Sequence, residues 1–306
     1  MTAATDSGRP RPAAGAGVIF TLLAALGFAA VSTFTEIAMR EGTSLWNVLM
    51  WRFVIGAVVM IVFAIVRRYR WLPWRDAAMW VVLGGGGQAL LIGMALSSLQ
   101  FVTVATLAFL FYTYPAFVVV VQSLRGAERL TTPRLVALAL SLGGIVVIAG
   151  VPAAGRGLPW QGAALGLGAA LVYALYIPLM QWMQRDYPVA LTSAYAKAGS
   201  ALCFLALGVG AASITTQVTH TAWAAIVGLA LFSTVLPTVF FMMGLMRLGP
   251  VSTAIVSTTE PFITALLGAM VLAQPVARNT TIGGIMIVAA VVLLQTKGAT
   301  ADTQAP

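Results

Sequence analysis

The chain is poor in charged residues and in the side chains that bind metals or form disulfides. Charged residues make up 8% of the 306 residues and hydrophobic residues 60%, whereas a soluble domain carries roughly 25% charged residues. Such a chain cannot cover a water-exposed surface, so we expect lipid to solvate it. It holds one cysteine, Cys203, and one histidine, His220. These counts exclude an internal disulfide and disfavour a metal centre or a Ser–His catalytic pair. We therefore predict no metal, no cofactor and no enzymatic activity.

Two further signatures are absent or misleading. No Gly-x-x-x-x-Gly-Lys-Ser/Thr motif is present, which disfavours ATP hydrolysis by this chain. The net charge of +9 could suggest nucleic acid. However, the positive residues lie in short loops between apolar runs, which is a signal of membrane topology. We expect the lipid bilayer and a small molecule as partners, and no nucleic acid.

The apolar runs predict an all-α membrane protein with ten spans, since a helix needs roughly 20 apolar residues to cross the hydrocarbon. The predicted spans are 16–39, 44–66, 75–98, 102–122, 132–150, 160–183, 188–211, 220–244, 250–273 and 279–297. Residues 1–15 and 298–306 are predicted to be disordered tails.

Loop charges predict that both termini face the cytoplasm. With that orientation, twelve of the 17 Lys and Arg residues lie on the cytoplasmic side, three lie outside, and two lie within spans. Positive residues favour the cytoplasmic side of bacterial-type inner membranes. We therefore predict a multi-pass protein of the cytoplasmic membrane.

The chain also repeats itself. Ala24-Ala25-Leu26 recurs as Ala169-Ala170-Leu171, and Thr113-Tyr114-Pro115 aligns with Thr259-Glu260-Pro261. The predicted repeats cover 16–150 and 160–297, with five spans each. Because five is odd, the second repeat must be inverted. Inverted repeats around a central cavity are typical of transporters that open alternately to either side.

The architecture resembles the drug/metabolite transporter superfamily, in its EamA-type branch. Glu260-Pro261 and the Gly-Gly pairs at Gly143-Gly144 and Gly283-Gly284 are similar to that branch's motifs. The resemblance implies a metabolite exporter, and its best-known activity is export of amino acids, including aromatic ones. Tyr114 departs from the pattern, because it stands where the second repeat has Glu260.

Ionisable residues inside the spans are the first candidates for transport. A charge at the bilayer centre costs roughly 3 kcal/mol or more, so its presence needs a reason. Arg52, Lys197 and Glu260 lie deep in spans two, seven and nine. The two cations could be structural, or they could face a substrate carboxylate. Glu260 falls on a predicted polar helix face, which could line a cavity or join helices: Thr253, Ser257, Glu260, Thr264 and Gly268.

Aromatic and amide side chains form the second group. Tyr112 and Tyr114 lie in span four, Tyr173 and Tyr176 lie in span six, and Gln88 follows a glycine run in span three. Tyrosine can cover an apolar substrate with its ring and hydrogen-bond with its hydroxyl. We predict that these five residues and Glu260 bind the substrate, although core packing is an equal alternative.

Helix breakers recur in the middle of the spans and predict kinks that act as gates. They are Gly84, Gly87, Pro115, Pro178, Pro237 and Pro261. We expect spans one, three, four, six, eight and nine to line a central cavity, and spans five and ten to form packing or dimer surfaces. The protein could be a monomer or a homodimer.

The leading hypothesis is a secondary exporter of small metabolites, chiefly amino acids, that works by alternating access. One alternative within the same fold is an importer or an effluxer of cationic drugs. An alternative of another class is a lipid-scrambling or structural membrane protein, which would not need ionisable residues at the midplane.

Overall fold

The computed structural model describes residues 14–102, 104–126, 131–149, 159–184, 186–211, 213–272 and 278–301, and every element within these ranges is helical. The elements are α1 (Ala14–Arg40), α2 (Leu45–Val66), α3 (Trp74–Met79), π1 (Trp80–Gly86), α4 (Gly87–Ser98), α5 (Val104–Phe111), α6 (Tyr114–Leu124), α7 (Thr132–Ala149), α8 (Trp160–Met183), α9 (Val189–Gly210), α10 (His220–Ala230), π2 (Leu231–Val235), α11 (Leu236–Ser257), α12 (Glu260–Leu272) and α13 (Arg278–Ala301).

The helices carry the apolar character of a multi-pass membrane protein. Six continuous helical stretches are long and apolar enough to cross a membrane: Gly15–Arg40, Leu45–Val66, Trp74–Ser98, Trp160–Met183, Val189–Gly210 and His220–Ser257. Shorter apolar helices occupy Tyr114–Leu124, Thr132–Val147, Glu260–Val271 and Thr281–Leu293. Large apolar side chains point outward, with Leu124 83% and Met270 82% exposed. Such surfaces suit lipid.

Contacts between the two halves occur in matching pairs. Helix α1 packs on α11, and its counterpart α8 packs on α4. Helices α2 and α9, the second spans of the two halves, pack on each other, and so do the fifth spans α7 and α13. The last pair meets at glycine, since a Cβ on Gly144 would lie 2.6 Å from the carbonyl oxygen of Gly283. Spans five and ten therefore pack against each other.

Spans four and nine are interrupted, and this corrects the prediction of continuous helices over 102–122 and 250–273. Helix α5 ends at Phe111 and α6 begins at Tyr114, while α11 ends at Ser257 and α12 begins at Glu260. Pro115 and Pro261 lack the N–H that would bond the preceding turn. Threonine hydroxyls bond carbonyl groups just before each break: Thr113 Oγ1 to Leu110 O at 2.6 Å, Thr258 Oγ1 to Ile255 O at 2.6 Å and Thr259 Oγ1 to Val256 O at 2.9 Å.

The interruption also divides the predicted polar face of span nine. Thr253 and Ser257 belong to α11, whereas Glu260 and Thr264 belong to α12. The five residues therefore do not share one uninterrupted helix. Glu260 instead stands at the first position of a helix, where its carboxylate lies at the positive end of the helix dipole.

Spans three and eight each contain a π-helical segment near the middle. Segment π1 holds Gly84 and precedes Gly87, and segment π2 precedes Pro237. π-Bulges widen a helix locally and are frequent at functional sites. The two halves thus distort the same span with different residues, a glycine run in one and a proline in the other. Pro178, by contrast, lies inside α8, which continues from Trp160 to Met183.

Two boundaries differ from the sequence prediction. Span eight continues past 244 to Gly249, whose φ of 78° and ψ of 170° break the helix before Pro250. Helix α13 continues to Ala301, beyond the predicted end at 297. The remainder of the predicted tail, 302–306, and residues 1–13 of the N-terminal tail lie outside the described residues.

The contact between π1 and α9 leaves no room for a side chain. A Cβ on Gly199 would lie 2.1 Å from the carbonyl oxygen of Val81, and a Cβ on Gly85 would lie 2.5 Å from the Cα of Gly199.

We predict that Gly199→Ala lowers the free energy of unfolding by about 1–3 kcal/mol, the usual cost of overpacking. Thermal unfolding in detergent, followed by gel filtration, measures the change. Gly86→Ala is the matched control, since nothing lies within 4 Å of its Cβ position; equal melting temperatures for the two variants would contradict this prediction.

Candidate functional site: a cavity between the halves

A cavity of about 240 Å³ lies between the two halves of the chain. Its lining comes from spans one, three, four, six, eight and nine, as the sequence predicts, and also from spans two and seven. The lining residues are Phe28, Val31, Arg52, Trp80, Gln88, Leu91, Ile92, Phe111, Tyr173, Tyr176, Met180, Gln184, Ser193, Ala196, Lys197, Thr238, Phe241, Met242 and Glu260. Apolar walls with a few ionisable and amide groups are typical of small-molecule sites.

Lys197 reaches the cavity from α9 and is held beside the glycine-rich π1 segment. Its Nζ donates to Gln88 Oε1 at 3.0 Å, and Ser200 Oγ donates to the same oxygen at 3.2 Å. Ser200 Oγ also lies 3.1 Å from Gly85 O. The side chain of Lys197 is 2% exposed. A buried ammonium group with one neutral partner retains donors for an anionic ligand.

Arg52 occupies the equivalent position in the first half and is held more firmly. Its Nε donates to Thr234 Oγ1 at 2.6 Å, and its Nη2 lies 3.4 Å from Ser233 O. Both partners belong to π2. Arg52 therefore bonds the π-helix of the second half, while Lys197 lies beside the π-helix of the first half.

The two cations lie on a shared aromatic ring. The Arg52 Cζ lies 5.1 Å and the Lys197 Nζ 5.4 Å from the centroid of Phe53. Phe53 stacks on Phe204 at 5.3 Å. Aromatic faces attract cations within about 6 Å, so the ring lowers the cost of burying two positive groups together.

Glu260 brings the negative charge of the site from the first turn of α12. The Tyr112 hydroxyl lies close to its carboxylate, and the positive charge of Arg52 acts on it. It forms no ion pair within 4 Å with any residue that the structure describes. A carboxylate that faces the cavity without an ion pair to a described residue is available to an ammonium group or a proton.

Aromatic rings form one wall between these charges. The ring of Tyr173 stacks on that of Phe111 with their centroids 5.6 Å apart. Its centroid lies 4.7 Å from that of Tyr114 and 6.5 Å from that of Tyr176. The Tyr176 hydroxyl donates to Gly84 O at 2.8 Å. This bond fixes the ring at the cavity surface through a carbonyl group of π1.

The structure brings most of the predicted residues to this cavity. Gln88, Tyr173, Tyr176, Glu260, Arg52 and Lys197 line it. Tyr112 touches Glu260 from behind the lining, and the buried Tyr114 donates to Ala254 O at 3.3 Å, so neither lines the cavity. Among the predicted kinks, Gly84, Gly87, Pro115, Pro237 and Pro261 border π-helices or breaks, and Pro178 lies within α8.

Sequence reasoning missed several lining residues. Trp80 and Gln184 lie near span ends, where tryptophan and amides usually mark the membrane interface. Ser193 and Thr238 belong to spans that hold several other hydroxyl residues, such as Thr192 and Ser200 in α9, so the sequence alone does not single them out. Phe111, rather than Tyr112, faces the cavity, because the break at Thr113 sets the direction of the preceding residues. Among the described residues, no three His, Cys, Asp or Glu side chains lie close enough to hold a metal ion.

Comparison with known proteins identifies the family. The model of the EamA-like transporter family matches residues 15–150 and again residues 160–296. The chain belongs to the EamA-like transporter family. It is therefore a multi-pass membrane transporter with two EamA repeats, and its family acts on small molecules in a lipid environment. No curated protein matches the chain at a significant level.

Solved structures share the fold of this EamA-like transporter. One crystal structure superimposes with a TM-score of 0.79 over 95% of this chain and 99% of the other, at 18% sequence identity. At this identity the likeness shows the fold alone.

Arg52 in this EamA-like transporter is bound by the protein itself, so its loss should weaken folding. We predict that Arg52→Lys lowers the free energy of unfolding by about 1.5–3 kcal/mol, because a single ammonium group cannot reproduce the two bonds of the guanidinium group. Thermal unfolding in detergent measures the effect. Arg40→Lys is the control, since Arg40 pairs with Glu36 at 3.0 Å on the surface, where ion pairs contribute about 0–1 kcal/mol. A loss no larger than that of the control would contradict the structural role of Arg52.

Proposed function

We propose that this EamA-like transporter is a secondary exporter of amino acids that works by alternating access. The observation that carries the proposal is the arrangement of charge in the cavity. The side chains of Lys197 and Arg52 both lie over the ring of Phe53, whereas Glu260 enters from α12 beside Tyr112. A ligand with one group of each sign would find a partner for both.

Lys197 is the better partner for the substrate carboxylate. The guanidinium group of Arg52 is engaged by Thr234 and Ser233, while the described partner of Lys197 is a neutral amide. Glu260 would bind the substrate ammonium group or exchange a proton for it. Burying a zwitterion is favourable only where both charges are matched, because an unpaired buried charge costs several kcal/mol.

The walls suit an apolar side chain of moderate size. Phe28, Phe111, Phe241, Met180 and Met242 surround the charged groups. Drug-sized ligands occupy pockets of roughly 300–1,000 Å³, and the cavity of about 240 Å³ lies just below that range. We therefore expect a single amino acid or a metabolite of similar size, with aromatic and aliphatic side chains preferred.

The same proposal includes the membrane topology. We propose ten spans arranged as two inverted five-helix repeats over 16–150 and 160–297, in the cytoplasmic membrane, with both termini in the cytoplasm. The matched contacts of α1 with α11 and of α8 with α4 support the pseudo-symmetry. The positive residues of the loops support the orientation.

A second function within the same fold is import or efflux of cations. Glu260 favours this alternative, because a lone carboxylate in an aromatic cavity suits a cationic ligand. Arg52 and Lys197 weigh against it, since both would repel a cation that carries no anionic group. Lipid scrambling is disfavoured, because it gives no reason to enclose three ionisable groups in a cavity.

Uptake of labelled amino acids into proteoliposomes tests the substrate class directly. We predict uptake above protein-free vesicles for at least one aromatic or aliphatic amino acid, and less uptake of the corresponding amine without a carboxylate. The panel is run with and without a pH gradient, and a pH-independent rate would exclude coupling to protons. Failure of every amino acid to move, with transport of an organic cation, would replace the leading function by the alternative.

Glu260→Gln separates a transport role from a packing role. We predict that this variant reaches the membrane in normal amounts but loses about tenfold or more in transport rate, because a charge-assisted contact to the substrate or proton is removed. Amounts are measured by gel filtration and rates by uptake. Glu36→Gln removes an exposed carboxylate on α1 and serves as the control. Parallel loss of protein and of activity would show that Glu260 is structural.

A further inference from the structure

Two groups of contacts join the repeats at places that correspond to each other in the repeat pattern. The first seam consists of residues 41–51 with residues 213–223, which joins the α1–α2 turn to the segment before α10. The second seam consists of residues 71–76 with residue 184 and residues 186–195, which joins the segment before α3 to the α8–α9 turn. In each seam, a turn between the first two spans of one repeat meets the segment between the second and third spans of the other.

The first seam is fastened by several hydrogen bonds. Ser44 Oγ donates to Ser213 O at 3.2 Å, Thr215 N to Asn47 Oδ1 at 3.1 Å, Trp51 Nε1 to Thr215 O at 3.1 Å, and Thr219 Oγ1 to Glu41 Oε2 at 2.8 Å. Trp51 also packs edge-on against Trp223 at 5.2 Å. None of these residues lines the central cavity. A second cavity of about 290 Å³ lies at this seam, lined by Glu41, Ser44, Ser213, Thr215 and Thr219 among others, and it shares no lining residue with the central cavity. The first seam is therefore closed toward the central cavity.

Fewer side-chain hydrogen bonds between described residues cross the second seam than the first. The Tyr187 hydroxyl donates to Asp76 Oδ2 across the repeats, and Trp71 packs edge-on against Tyr195 at 6.4 Å. The hydrogen bond to Asp76 raises the pKa of Tyr187, so the hydroxyl keeps its proton as a donor. Among the described residues, these are the side-chain hydrogen bond and the ring contact that cross this seam.

Gln184 connects the second seam to the cavity. Its side chain is 3% exposed and lines the cavity. Its Nε2 donates to Tyr187 O at 2.7 Å, and its Oε1 accepts from Thr192 Oγ1 at 2.7 Å. The cavity thus extends to the residue that positions Tyr187, whereas it does not reach the first seam.

We propose that the two seams are the alternating gates of the transporter, and that the Tyr187–Asp76 bond is the latch of the second gate. The inference rests on the proposed alternating-access mechanism. In the conformation described here the first gate is closed by its full set of bonds, and release of Tyr187 from Asp76 opens the cavity at the α8–α9 end. To open the first gate, its four hydrogen bonds must break while the Tyr187–Asp76 bond of the second seam stays formed.

Thiol labelling measures gate opening without any substrate. The background variant carries Cys203→Ala, which removes the one native cysteine, and Ser193→Cys, which places a thiol on the cavity wall. A membrane-impermeant maleimide is added to sealed vesicles from the side of the α8–α9 turn. The labelling rate then reports how often the second gate is open.

The proposal predicts opposite effects at the two seams. Tyr187→Phe should raise the labelling rate about tenfold, as expected when a hydrogen bond to a charged group is lost. Glu41→Ala, which weakens the first seam, should lower the rate, because the population shifts toward the conformation open at the other end. Tyr195→Phe is the matched control, because its ring crosses the seam whereas its hydroxyl has no hydrogen bond to a described residue.

The outcomes separate a gate from a passive contact. An unchanged rate in Tyr187→Phe, or faster labelling in both Tyr187→Phe and Glu41→Ala, would overturn the proposal, because general loosening gives the same sign at both seams. If Tyr187→Phe does not fold, Asp76→Asn tests the same bond. The readout contains no amino acid, so a failed substrate panel with opposite labelling effects would remove the proposed substrate and keep the gates.

Discussion

A carbonyl group released from a helix inside a membrane has no water to bond, so the protein must supply the donor. This constraint shapes the centre of the molecule. Spans three and eight contain π-helical segments, and spans four and nine are interrupted at proline. Side chains around the cavity approach carbonyl groups of these segments: Tyr176 at Gly84 O, Ser200 at Gly85 O, Arg52 at Ser233 O and Tyr114 at Ala254 O. The side chains that bond these carbonyl groups are thus neighbours of the residues proposed to bind the substrate.

This dual use explains why the two cations differ. Arg52 and Lys197 occupy equivalent positions in the two repeats and share the ring of Phe53. The planar guanidinium group bonds π2 at two points, whereas the lysine has a single flexible ammonium group directed to Gln88. One member of the pair therefore bonds the scaffold at two points, whereas the other keeps donors free for the proposed substrate. Glu260 and Tyr114 divide in the same way, since the tyrosine is buried on a backbone carbonyl and the glutamate faces the cavity.

The sequence predicts best those site residues whose burial in a membrane costs the most free energy. An ionisable residue in an apolar run must face protein or water, which identifies Arg52, Lys197 and Glu260 without any coordinates. The breaks at Pro115 and Pro261 are visible as missing N–H groups, although the sequence does not reveal that the helices stop there. The direction of Phe111 and Tyr112 depends on that stop. Trp80 and Gln184 could not be predicted for a different reason. Both lie near the ends of spans, and they line the cavity because of the way the two halves pack, which the sequence does not show.

The same constraint bears on how the transporter can move. Bending a regular helix inside lipid would break backbone hydrogen bonds that no partner replaces. Segments whose carbonyl groups already rely on side-chain donors can exchange one donor for another at small cost. The π-helices are such segments, and they lie between the cavity and the two seams. We therefore expect bending to be easiest at these segments, and in the proposed mechanism the different numbers of bonds across the two seams decide which end of the cavity opens first.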